Sequence, residues 1–155
     1  MEPVWFHPIL KKENTLKRLI RYALPVAALS PTFALAGLVC IVHKENPLES
    51  APVDKVRNVF LGKAQSVDNS GTLLALDVEP SSAVRKTFTD KIVEKNDSEL
   101  SKYWSRLVFT GKGTPPKKVG GDDAVIKMVS ENKNALGCVD DSKGLGSVKV
   151  ILKNN

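Results

Sequence analysis

Two spacings of apolar residues alternate along residues 37–155 and predict a mixture of strands and helices. Continuous apolar runs of strand length occupy 38–43, 72–77, 135–139 and 147–152. Runs of this kind are typical of buried β-strands. Between them, apolar residues three and four positions apart predict amphipathic helices at 53–60 and beginning near 81, 97 and 122. The alternation predicts an α/β sandwich, with a mixed or parallel sheet flanked by helices.

Polar residues and breakers indicate where the helices begin and end. The third helix begins near Asn96, Asp97 and Ser98, whose side chains can cap its free N–H groups, and either Asp122 or Asp123 can cap those of the fourth. Gly62 ends the first helix, and the two prolines of 111–116 predict an open loop.

The third helix carries the longest apolar stripe. Its members are Leu100, Tyr103, Trp104, Leu107 and Val108. This spacing predicts a face packed on the core. Tyr103 and Lys112 are the candidates for the border of an exposed groove.

The first 36 residues have the composition of a secretory signal peptide. A basic segment carrying Lys11, Lys12, Lys17, Arg18 and Arg21 precedes a short apolar stretch at 22–35 and the small residues Ala34 and Ala36. A packed helix or a membrane anchor is the alternative, but Pro25 and Pro31 break a helix. The stretch is also shorter than the roughly 20 residues that span a bilayer. We predict cleavage after Ala36, which leaves a periplasmic domain at 37–155 with no membrane span.

The composition of the chain argues against several classes of function. The chain of 155 residues has two cysteines and two histidines, too few for a Cys₄ zinc site or a histidine-rich metal centre, so we expect no metal. Removing residues 1–36 lowers the net charge from +6 to +3, and no basic stripe with interleaved aromatic residues remains for nucleic acid. No nucleophile–base pair, phosphate-binding glycine loop or cofactor motif is present. We therefore expect neither catalysis nor a cofactor.

Three segments give the domain a resemblance to a known family. These are VRNVFLGK at 56–63, YWSRLVFTGKGTPP at 103–116 and NALGCVD at 134–140. Together with the order of elements, they resemble the periplasmic substrate-binding proteins of phosphate ABC transporters, and in particular their small single-lobe relatives. The resemblance implies a three-layer sandwich like one lobe of a type 2 periplasmic binding protein.

The resemblance also implies a function. It points to an exported, non-enzymatic module associated with phosphate or another small oxyanion, with an ABC permease or an envelope protein as partner. The alternative is an envelope protein-interaction or structural module that reuses the fold and binds no solute, because function resides in the site rather than the fold.

The candidate anion site departs from the family pattern. Where the family has an arginine strand end followed by Ser-Gly-Thr at a helix start, this chain has DVEPSSAVR at 77–85. Ser81, Ser82 and Arg85 can still form an anion cradle from hydroxyls, free N–H groups and a guanidinium. The alternative is that a serine merely caps the helix and that Arg85 is solvated.

Cys40 and Cys138 fall in two strands that are neighbours in the resembling lobe. In an oxidising periplasm such a pair invites a disulfide. Two buried, unpaired cysteines that pack as small apolar residues are the alternative, since a wrong register would leave the Cα atoms too far apart to bridge.

Overall fold

The computed structural model describes residues 37–68 and 70–154. The predicted signal peptide at 1–36 lies outside the described residues. The elements follow in the order β1 (Leu38–His43), α1 (Val53–Phe60), β2 (Leu74–Val78), α2 (Ala83–Phe88), α3 (Asp97–Phe109), β3 (Lys117–Val119), α4 (Asp122–Glu131), β4 (Ala135–Asp140) and β5 (Val148–Asn154). A π-helical turn, Thr89–Val93, continues α2.

The strands form one mixed sheet in the order β3-β2-β4-β1-β5. β2 is parallel to β3 and to β4, whereas β1 is antiparallel to β4 and to β5. All six residues of β1 are buried, which agrees with its continuous apolar sequence and its place inside the sheet. The parallel pairing brings the carboxyl ends of β2, β3 and β4 to one edge of the sheet.

Helices cover both faces of the sheet, which makes the domain a three-layer sandwich. On one face α1, α2 and α3 pack on the sheet through a cluster that includes Phe60, Phe88 and Trp104. On the other face α4 packs through Val125 and Val129. The predicted fold class is confirmed. Among the described residues, no helix combines the length and the apolar character needed to cross a membrane.

Gly137 allows α4 to approach β4 closely. A Cβ atom at this position would collide with the Val125 side chain, and Val125 is fully buried. Glycine removes the obstacle, so the helix backbone can lie close to the strand. Gly137, the last residue of the NALG sequence at 134–137, is therefore required for the close packing of α4 on β4.

The π-helical turn explains an apolar spacing of four in the second helix. Val84, Phe88 and Ile92 all face the core, although an α-helix would rotate such a series gradually off one face. The wider turn at Thr89–Val93 restores Ile92 to the core side. The Thr89 hydroxyl donates to the carbonyls of Arg85 and Lys86 at 3.1 and 2.9 Å, which satisfies backbone groups at the transition.

Two details differ from the sequence analysis. β3 follows the predicted loop at 111–116 directly and was not predicted, because only three residues pair and two of them are exposed lysines. The residue before α4 is Gly121, and Asp122 and Asp123 lie inside the first turn instead of capping it. Their charges there still interact favourably with the helix dipole.

Cys40 and Cys138 face each other in the antiparallel pair of β1 and β4. Their Cα atoms lie 4.0 Å apart and their sulfur atoms lie within bonding distance, and the disulfide itself stays a prediction. Such closeness is typical of directly opposite residues that do not exchange backbone hydrogen bonds. The bridge would close a loop with a sequence separation of 98 residues.

We predict that the protein isolated under non-reducing conditions has a mass two hydrogens below its reduced value. Replacing both cysteines by serine should lower the free energy of unfolding by about 4 to 5 kcal/mol, since the bridge restricts a long loop in the unfolded chain. Intact-mass spectrometry and denaturant titration measure the two quantities. Alkylation of both thiols without denaturant would contradict the prediction.

Candidate functional site

Four charged side chains meet near the carboxyl end of β2. Asp77 comes from β2, Arg85 from α2, Asp97 from the first residue of α3, and Lys118 from β3. We call these four residues the ion-pair network. The parallel pairing of Asp77 with Lys118 aligns β2 and β3, while α2 and α3 bring their residues over the same end of the sheet.

The Asp77 carboxylate lies between two cations. It is 6% exposed and forms an ion pair with the Arg85 guanidinium. The Lys118 Nζ donates to its other oxygen at 3.0 Å. Removing a carboxylate from water is costly, so a buried one persists only with such partners.

The Arg85 guanidinium contacts two carboxylates of the same chain. Besides its contact with Asp77, its Nε and Nη2 both lie 3.2 Å from Asp97 Oδ1, and its Cζ lies 6.0 Å from the centre of the Phe88 ring. The residue is 3% exposed, so the expectation of a solvated Arg85 is wrong. Two cations and two anions make the network neutral as a whole.

Lys118 is the network's more exposed cation. Burial, followed by repulsion from Arg85, lowers the pKa of its ammonium group below the ordinary lysine value, and the charges of Asp97 and Glu79 oppose that shift. Both burial and a neighbouring positive charge disfavour the protonated form of a lysine. Arg85 is close because both cations pair with the same Asp77 carboxylate.

The two predicted serines lie at the start of α2 but do not complete a cradle. Ser82 precedes the six residues of the helix, and its hydroxyl caps no backbone group. Its N–H donates to the Glu79 carbonyl at 3.1 Å, while Ser81 is exposed. The structure thus brings Ser81, Ser82 and Arg85 to one helix start, with the guanidinium held by Asp77 and Asp97. Anion binding by the three residues stays a prediction.

The acidic residues beside α4 have local roles. Asp122 Oδ2 accepts the Asp140 N–H at 3.1 Å, and hydrogen bonds from the Ser142 hydroxyl and backbone lower the pKa of Asp140. Among residues 37–68 and 70–154, no three His, Cys, Asp or Glu side chains are grouped as a metal site would require.

A groove of about 680 Å³ begins at the ion-pair network and runs along α3. Its apolar lining includes Trp104, Val108, Phe109 and the two prolines at 115 and 116. A second groove of about 650 Å³ lies beyond Val108 and the prolines and is lined by residues 111–114 and the start of β2. We call the two together the α3 groove.

The α3 groove was only partly foreseen from the sequence. Lys112 does line it, but the Tyr103 hydroxyl donates to the Leu61 carbonyl at 2.7 Å and ties α3 to the end of α1. Val108, assigned to the core stripe, is 54% exposed, and Phe109 is 93% exposed. The helical stripe gave no signal for this, because apolar spacing alone does not distinguish a side chain packed on the core from one left exposed near the end of a helix.

Comparison with known proteins shows which solved structures share this fold. No protein-family model matches the chain, and a search of curated proteins finds no significant relative. Among solved structures, the chain is similar to one described as a phosphate ABC transporter substrate-binding protein with bound phosphate from Clostridium perfringens (21% identity, TM-score 0.60). It is also similar to an ABC-type phosphate transport receptor from Vibrio cholerae (20%, 0.60) and to PstS from Borrelia burgdorferi (14%, 0.56).

These similarities cover part of each larger protein. Each match spans 75% of this chain, but only 44, 45 and 47% of the three structures in turn. The chain therefore has the fold of a partial, single-lobe counterpart of phosphate ABC transporter substrate-binding proteins, as its sequence segments indicated.

We predict that Arg85→Ala lowers the free energy of unfolding by about 3 kcal/mol or more, because it leaves the buried Asp77 carboxylate without its main partner. Arg106→Ala, at an exposed arginine of α3, should change it by less than about 0.5 kcal/mol. Denaturant titration measures both. The double replacement of Asp77 by Leu and Arg85 by Met should cost less than Arg85→Ala alone. Equal, small effects of the two alanine substitutions would show that Arg85 is not structurally paired.

Proposed function

We propose that residues 37–155 form an exported, non-enzymatic binding module that contacts a partner protein of the cell envelope and does not capture free phosphate tightly. One observation carries this proposal. The only buried guanidinium among the described residues is that of Arg85, and Asp77 and Asp97 already occupy its donors.

Phosphate at the start of α2 would compete with these two carboxylates. The incoming anion would have to displace Asp97, or share Arg85 with a buried Asp77, and each arrangement places like charges close together. Glu79 adds a third negative charge on the approach. Displacing Asp77 would leave it buried with Lys118 alone, at a cost of several kcal/mol.

The fold supports a binding role over a catalytic one. The solved structures it resembles are substrate-binding proteins and receptors of phosphate transport. The matched part of this chain corresponds to 44 and 45% of these two structures.

Oxyanion binding at Ser81, Ser82 and Arg85 is the second candidate function. Its support is the similarity to a structure described with bound phosphate. In that case the ligand would be phosphate or another small oxyanion, and an ABC permease would be the natural partner.

Phosphate titration separates the two candidates. We expect isothermal titration calorimetry to show no heat of binding at millimolar phosphate in low salt, since the guanidinium is already neutralised. Oxyanion binding at the helix start would instead give salt-sensitive heat, weakened by Ser81→Ala and strengthened by Glu79→Gln.

Both substitutions lie at exposed residues, so neither should unfold the domain, and Ser147→Ala on the far edge of the sheet is the matched control. Heat that responds to Ser81 and Glu79 but not to Ser147 would overturn the proposed protein-interaction role.

Export itself has a direct test. We predict that intact-mass analysis of a periplasmic extract finds a chain beginning at Gly37, because the small residues Ala34 and Ala36 precede that position. A membrane-retained chain that still begins at Met1 would contradict both the cleavage site and the periplasmic location.

A further inference from the structure

We infer that the α3 groove binds a peptide segment of a partner protein in which acidic residues flank aliphatic or aromatic side chains. This inference rests on the proposed protein-interaction function and specifies the chemistry of the partner. It follows from three properties of the groove: its apolar lining, the charge around it and its concave shape.

The lining is apolar and open to solvent. Phe109 is 93% exposed and Val108 is 54% exposed. The prolines at 115 and 116 and the largely buried Trp104 line the same groove. Leu74 adds an exposed side chain in the second half of the groove. A contiguous patch of this kind is typical of an interaction site, whereas single exposed apolar residues are not.

Asp77 and Asp97 line one end of the groove within the neutral ion-pair network, and beyond that network the charge along the groove is basic. Residues 100–121 contain five basic side chains and no acidic one, although residues 37–155 together have a net charge of only +3. The basic residues are Lys102, Arg106, Lys112, Lys117 and Lys118. Of these, Lys118 pairs with Asp77, and the other four are exposed and form no ion pair with any described residue.

The unpaired cations lie close to the apolar lining. Lys112 lines the groove directly, and Lys117 follows Pro116. Arg106 precedes Phe109 by three positions on α3, so the two side chains are neighbours on the helix surface. Acidic side chains flanking an apolar anchor would therefore meet opposite charge, which favours encounter and fixes orientation.

The shape favours a peptide over a membrane surface. The two halves of the groove, of about 680 and 650 Å³, share Val108 and the two prolines as a common ridge. An extended segment can place alternate side chains in the two concave halves of the groove.

Binding of a defined peptide tests the inference. The probe is a short fluorescein-labelled peptide in which glutamates alternate with leucine and phenylalanine, added to the purified protein and followed by fluorescence anisotropy. We expect binding that weakens as salt rises. Phe109→Ser should weaken it about tenfold or more, as loss of a central aromatic anchor does, and Lys112→Glu should weaken it several-fold and reduce its salt dependence.

Matched controls lie on distant parts of the domain. Val150→Ser replaces a partly exposed apolar residue on β5, and Lys127→Glu reverses an exposed charge on α4, on the other face of the sheet. Both should leave the affinity within about twofold. Since Phe109 is almost fully exposed, its serine variant should keep the thermal midpoint of the parent, so lost binding would not reflect unfolding.

The remaining outcomes would overturn the inference. They are equal binding of a peptide with lysine in place of glutamate, tighter binding to anionic phosphatidylglycerol vesicles than to the acidic peptide, and concentration-dependent self-association that Phe109→Ser abolishes. Absence of peptide binding up to millimolar concentration would do the same. The phosphate titration tests the proposed function separately, because it reports on the start of α2 and not on Phe109 or Lys112.

Discussion

The buried ion pair of Arg85 with Asp77 connects α2 to the sheet and determines the charge at the carboxyl end of β2. The guanidinium reaches a strand residue on one side and the first residue of α3 on the other, so a single side chain connects β2, α2 and α3. Its charge is compensated inside the protein by these two carboxylates. The same guanidinium therefore connects three elements of the fold and forms ion pairs that an incoming oxyanion would have to replace.

Local sequence signals predicted the fold well because its elements follow local rules. The buried run of β1, the helix at Val53–Phe60 and the cap at Asn96 each rest on nearby residues; the Asn96 side chain and Glu99 bond each other's backbone N–H groups. β3 escaped prediction because its three residues acquire strand structure only by pairing with β2. The burial and ion pairing of Arg85 could not be predicted for a related reason. Its partners, Asp77 and Asp97, lie on β2 and α3 and reach it only in the folded structure.

The similarity to larger phosphate-transport proteins is a similarity of fold, and ligand binding depends on individual side chains. A shared three-layer sandwich can keep its packing while its surface is rebuilt, because the core clusters on the two faces of the sheet depend on residues such as Phe88, Trp104 and Val125 rather than on the loops. In this chain the α3 groove lies along α3 and the loop that follows it. That region combines the exposed aromatic ring with the unpaired basic residues.

The pairing of β1 with β5 has a consequence for how such a domain can be joined to other sequences. Leu38 lies opposite Asn154, so the two ends of the described domain are about 5 Å apart, the usual separation of facing residues in an antiparallel pair. A segment whose ends meet in this way can be grafted into a surface turn of a host protein without stretching either junction. The same closeness makes the domain a suitable candidate for circular permutation, with new ends opened in the polar turn at 142–146.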